Sequence, residues 1–301
     1  MLVVFALLFT GCALFVDGFF SRVNLESILL SVSTIGIIAC TMLFCLAAGA
    51  FDLSIGSTVA CTGVVTAVVI NRTGSVAAGV AAGLATGALV GLGNGLLIAK
   101  AGINALIATL ATMQIVRGLG YKVSGGKSVG VINEDFFLLG NSSFLGLPVP
   151  VWICLGCFLF FGFLIERTVF GRNTLALGGN PEAARLAGIA TARLQVVIFT
   201  LHGLVAALAG IVLCSHMTSG QPMVAQGLEL DVISACVLGG VSLTGGIGRM
   251  SYVIAGVLIM GTVRNAMNLL NLPTFDQYIA SGLILLAAVA FDRIKQRGAG
   301  R

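Results

Sequence analysis

Few residues in this chain have the types and spacing for covalent chemistry. Cys154 and Cys157 stand in CxxC spacing, which suits zinc or redox work, but their setting VWICLGCFLFF has no neighbouring His or further Cys. They read as small apolar residues on one helix face. The segment GYKVSGGKS, Gly120 to Ser128, approaches a phosphate-binding loop but holds one residue too many for GxxxxGK[ST]. No HExxH and no paired carboxylates within an apolar run occur. The two histidines, His202 and His216, fall in or just outside one apolar run, where a lone imidazole packs more often than it catalyses.

Polar residues inside apolar runs are the more informative set. An acid at the centre of a bilayer costs about 2.5–3.5 kcal/mol on insertion scales, so Asp52 needs a reason to be where it is. Helix capping, with Ser54 and Gly56 following in the first turn, is one reason, and contact with a passing solute is the other. Asn94, Asn104, Gln114, Asn265 and Asn268 join Asp52 and Ser54 as candidates for a hydrophilic path. Each also suits hydrogen-bonded glue between helices.

The elements that must position these residues follow from composition. The chain has 301 residues, 58% hydrophobic and 9% charged, against about 25% charged in soluble domains, so lipid is its solvent. Mean hydropathy is +1.09. Glycine supplies 41 residues, about twice the usual share, which predicts helices packed closely through small side chains. The apolar segments are continuous and do not alternate, which disfavours a membrane β-barrel. The eight cysteines lie inside or at the ends of apolar runs, a placement that argues against disulfides.

The expected fold is therefore an all-α polytopic membrane protein, one domain over 1–301. Apolar stretches of spanning length fall near 2–16, 28–48, 53–70, 76–99, 103–119, 149–165, 194–215, 230–247, 250–270 and 277–291. This predicts ten spans, with the short connections at 49–52 and 248–249 as places where a broken helix would look the same. With the N-terminus inside, ten Lys and Arg fall on inner segments and six on outer ones, so both termini are expected in the cytoplasm. The first run reads as a retained helix and not as a cleaved signal, and its missing basic flank points to a natural start upstream. AFDLSIGSTVACTG and LELDVISACVLGG share an acid opening a small-residue helix, and NGLLIAKAGINALIATLA is echoed more weakly by NAMNLLNLPTFDQYIASG. That spacing suggests an inverted repeat pairing spans 2–5 with spans 7–10.

The longest inner connection, 167–193, carries its own helix signal. Asn180 suits an N-cap, Pro181 the first helical position, Glu182 the first turn and Gly188 the stop, predicting a helix over about 181–187. Alone in water so short a helix is unstable, so it is expected to dock on something.

The run GRNTLALGGNPEAARLAGI at 171–189, with GAFDLS at 49–54 and ELDVISACVLGGVSLTGGIG at 229–248, resembles the membrane permease subunits of bacterial ABC importers for monosaccharides, the ribose, galactose and arabinose group. Further segments, CTMLFCLAAGAFDLS and GINALIATLATMQIVRGLGY among them, point within that group to its arabinose members. The resemblance implies an inner-membrane homodimer with no cofactor of its own. It implies a cytoplasmic ATPase subunit that binds ATP and Mg, and a periplasmic sugar-binding protein. It also implies that Gly178, Gly179, Asn180, Pro181, Glu182, Ala183, Ala184, Arg185, Leu186 and Gly188 form a coupling segment in the ATPase cleft. Glu229 and Asp231 are then candidates for docking the binding protein. An ion-coupled secondary transporter of a small polar solute is the rival reading, and it would need a buried acid such as Asp52 for its coupling ion.

Overall fold

A computed structural model describes the backbone of residues 1–299 and the side chains of residues 1–290. Its helices are α1 (Leu2–Phe15), α2 (Arg22–Ala47), α3 (Ile55–Thr73), α4 (Val76–Ala99), α5 (Ala105–Ser124), the short α6 (Leu138–Asn141), α7 (Val149–Arg167), α8 (Val169–Gly179), α9 (Pro181–Leu186), α10 (Thr191–His216), α11 (Leu228–Gly239), α12 (Met250–Leu269) and α13 (Thr274–Ala299). Local chemistry sets their ends. Ser21 and Ser75 accept hydrogen bonds from the N–H groups of Asn24 and Ala78 at the starts of α2 and α4. Gly74 and Gly125 close α3 and α5 in the left-handed region, with φ of 69° and 65°.

Every apolar run carries a helix, and six of the described helices are long and apolar enough to cross a membrane: α2, α3, α4, α7, α10 and α12. The run expected over 230–247 is not one through-helix. α11 stops at Gly239, followed by Gly240 at φ 116°. Twelve residues rise about 18 Å, short of the roughly 30 Å hydrocarbon core. Continuous hydropathy hid this break because glycines count as neutral while their backbones turn. The loop over 167–193 also holds more than the expected helix, since α8 precedes α9 and buries Thr174 and Leu177. Arg293, Lys295, Arg297 and Arg301, which carry part of the expected orientation signal, lie outside the residues whose side chains are described.

α2 sits at the centre, buried almost all round from Ile35 to Ala47, with α7, α10, α11 and α12 packed on it. A second group, α3, α4 and α5, packs beside α10. Lipid tails are as apolar as Leu, so close backbone approach and dispersion replace the hydrophobic effect as the packing force. α4 meets α10 through Gly87, Gly91 and Gly95, where an added Cβ would collide with the backbone of Gly203, Phe199 and Val196. α12 meets α11 the same way at Gly256, against Ala235. At one end of the bundle, Val129–Gly130 pairs antiparallel with Ser219–Gly220, tying the loop after α5 to the loop after α10.

Candidate functional site

The segment over 178–188 folds as its residue types demand. Asn180 Oδ1 accepts the N–H groups of Glu182 at 3.1 Å and Ala183 at 2.9 Å, and Pro181 takes the first position of α9. At the other end Ile189 N–H donates to Ala184 O and Gly188 N–H to Arg185 O, with Gly188 at φ 85°, which is a Schellman close. α9 buries Ala184 and turns outward Glu182, Arg185 and Leu186, the last 80% exposed.

Behind α9 the chain is locked to the bundle by backbone contact. Gly246 N–H donates to Ala47 O at 2.9 Å, at the end of α2. A Cβ at Gly178 would collide with that same carbonyl, and one at Gly245 would lie 2.7 Å from Gly178 O. Gly179 faces Gly246, whose own Cβ would lie 2.9 Å from the Gly179 Cα. Three stretches thus meet without side chains between them: the turn from α8 to α9, the end of α2, and the loop joining α11 to α12. Such a joint has little slack to absorb a push.

Asp52, Ser54 and Asn94 come together at the start of α3. Asp52 Oδ1 accepts from Ser54 N–H at 2.8 Å and from Ser54 Oγ–H at 2.6 Å, and Asn94 Nδ2 donates to Ser54 Oγ at 2.9 Å. All three residues are buried. Nearby lies a residue pair that sequence reasoning missed as a site: His202 on α10, fully buried, with Nδ1 2.9 Å from Thr41 Oγ1 on α2. Asp52 and His202 are electrostatic neighbours. Among the described residues, Asn94 Oδ1 and His202 Nε2 make no protein hydrogen bond. Four helices therefore meet around a small buried polar cluster.

The other path candidates lie elsewhere. Asn104 is exposed and caps α5 through Leu106 N–H, Gln114 is exposed, and Asn268 accepts from Gln277 on the surface. Asn265 exchanges two hydrogen bonds with Asn24, at 2.9 and 2.7 Å, which ties α12 to α2. Asp231 is 2% exposed and pairs with Arg264 Nη2 at 2.7 Å, so it offers no open carboxylate to a docking partner. Glu229 beside it is half-buried and is an electrostatic neighbour of Arg117, whose guanidinium donates to Pro222 O and Val224 O at 2.8 Å. The described cysteines are all free thiols, and no described group of His, Cys, Asp and Glu could hold a metal. GKSVG at 126–130 has the GxSxG spacing of a serine nucleophile, yet Ser128 lies exposed in the loop after α5 and runs into the short strand Val129–Gly130, not directly into a helix.

The family described as branched-chain amino acid transport system / permease component matches residues 24–289. The L-arabinose transport system permease protein of Escherichia coli strain K12 is 62% identical over 297 residues, covering 99% of this chain and 90% of that protein. The L-arabinose ABC transporter permease protein of Azospirillum brasilense is 52% identical over 296 residues, covering 98% and 87%. The ribose import permease protein of Bacillus subtilis strain 168 is 40% identical over 280 residues, covering 92% and 87%. No solved structure matches the chain. A bundle of membrane-length helices and a match running nearly end to end agree, and the chain belongs to this family of ABC transport permeases, whose work is the passage of solute and not catalysis.

Proposed function

We propose that the chain is one copy of a homodimeric permease in the inner membrane of a bacterium, moving L-arabinose inward as part of an ATP-driven importer. The observation that carries this reading is the gradient of identity, 62% and 52% to permeases named for L-arabinose against 40% to one named for ribose. The partners are an ATPase subunit that binds ATP and Mg in the cytoplasm and a periplasmic sugar-binding protein. Both termini and the 167–193 loop face the cytoplasm.

In this mechanism α9 enters a cleft on the ATPase. Glu182, Arg185 and Leu186 make the contact, and Gly178 and Gly179 pass its displacement to α2 and to the loop between α11 and α12. The glycine joint supports this role because a push on α9 reaches two membrane segments through backbone alone. Asp52, Ser54 and Asn94 line or brace the path at the start of α3. The paired helix contacts support an inverted repeat: α4 packs on α3 and α10 as α12 packs on α11 and α2.

Proteoliposomes holding the permease, its ATPase and its binding protein test the proposal through labelled L-arabinose uptake. Uptake is expected to require ATP and to fall at least about tenfold in Glu182→Arg, a loss of about 1.4 kcal/mol or more of docking free energy. Uptake driven by an ion gradient without the ATPase would overturn it.

A further inference from the structure

Among the described residues, the ion pair with a buried member stands beside a cavity. Asp231 on α11 and Arg264 on α12 meet at 2.7 Å, the acid nearly fully buried and the guanidinium 30% exposed. They line a cavity of about 170 Å³ together with Tyr278, Ser281, Gly282 and Leu285 of α13 and Gly227 and Leu230 of α11 and its lead-in. At about 30 Å³ of liquid volume for each water, that volume holds on the order of half a dozen of them, room for one small polar ligand. Asp231 Oδ2 is buried against the guanidinium, so the carboxylate holds Arg264 in place while the partly exposed guanidinium keeps donors for a ligand.

We propose that Arg264, held in place by Asp231, forms with Tyr278 and Ser281 a weak subsite for one monosaccharide crossing the permease, an assignment that rests on the sugar-importer reading. A sugar ring carries adjacent hydroxyls and a face of C–H groups. The partly exposed guanidinium donates to such hydroxyls while the buried carboxylate behind it fixes the fork, and the pair stays charge-neutral with or without the sugar. Tyr278, 55% exposed, supplies an aromatic surface for the C–H face, and Ser281 a hydroxyl that both donates and accepts. Among the described residues, the apolar walls from Leu230 and Leu285 leave these groups as the hydrogen-bonding side chains of the cavity. A neutral pair explains how two charges persist at a membrane helix contact and why the site binds weakly. The sugar competes with an ion pair already made.

The test uses the full chain. Saturation-transfer NMR on the detergent-solubilised permease reports contact with L-arabinose, and ATP-driven uptake in the reconstituted assembly reports transport. Tyr278→Ala and Ser281→Ala lie on the half-open side of the cavity and leave the buried pair intact. Tyr278→Ala is expected to abolish the transfer signal and slow uptake about tenfold, whereas Tyr278→Phe stays within about threefold of native. Arg264→Lys keeps the charge, loses the fork, and is expected to weaken the signal comparably. The melting temperature and gel-filtration profile of the Tyr278 and Ser281 variants in detergent are expected to stay native, which separates loss of sugar contact from loss of fold. Native signal and uptake in both Tyr278→Ala and Ser281→Ala would overturn the subsite. Absence of ATP-driven uptake by the native chain would instead strike the importer reading, with the NMR contrast still deciding the subsite.

Discussion

Asn24 and Asn265 show how much one residue pair can hold in this bundle. Their two reciprocal hydrogen bonds are buried between α2 and α12, so neither amide is free for a passing solute. Interhelical hydrogen bonds in membranes average about 0.6 kcal/mol and reach about 1.7. A double-mutant cycle with Asn24→Ala and Asn265→Ala, measured by unfolding in detergent, should give a coupling of about 1 kcal/mol. Additive losses would show the two side chains acting separately. Gly178 is a sharper case. A Cβ there would collide with Ala47 O, a backbone atom that cannot rotate away, so Gly178→Ala is expected to lower the melting temperature and to destabilise by about 1–3 kcal/mol. A native melting curve would mean the joint yields. Asp52 was readable as a helix-starting acid from its sequence alone, and its Oδ1 does hold Ser54 N–H and Oγ–H. His202 was not readable as its neighbour, because nothing local to α10 marks which ring nitrogen faces α2.

α9 is the element whose sequence said most. Its cap, its proline and its terminal glycine are local chemistry, and local chemistry does not depend on the rest of the chain. Replacing Asn180 by Ala removes the acceptor for two N–H groups and should cost about 1 kcal/mol of local helix stability. In the reconstituted importer this variant is expected to keep its global melting point and lose ATP-driven uptake several-fold. Unchanged uptake would show that α9 is ordered by its partner alone. α11 was the element least legible. Asp231, Val232 and Ile233 look like the start of a span, and only the left-handed Gly240 ends it after 12 residues. α8 was missed for the related reason that its buried face, Thr174 and Leu177, is set by α2 and α7 and not by its own pattern.

At the scale of the molecule, sidedness is the first thing to measure. Leu186 on α9 and Phe144 in the loop before α7 are both well exposed, and the described native cysteines are buried apart from half-buried Cys12. In proteoliposomes of known orientation, Leu186→Cys is expected to react with a membrane-impermeant thiol reagent only from the cytoplasmic side, and Phe144→Cys only from the other. Reaction of both from one side would invert or break the assigned topology. Composition alone determined that the chain lives in lipid, because 9% charge leaves too few groups to solvate a surface in water. The order of the apolar helices and the capped helix in the long loop were equally sequence properties, since hydropathy and capping act over a turn or two. Which helices touch was decided only by tertiary structure. α4 closes on α10 because Gly87, Gly91 and Gly95 happen to meet Gly203, Phe199 and Val196 across more than a hundred residues of chain. The meeting of Asp231 with Arg264, and the knot of Gly178, Gly245 and Ala47 O, have the same origin. Contacts between distant segments carry no local signal, and in lipid they are selected by close backbone fit, which a list of residue types does not contain.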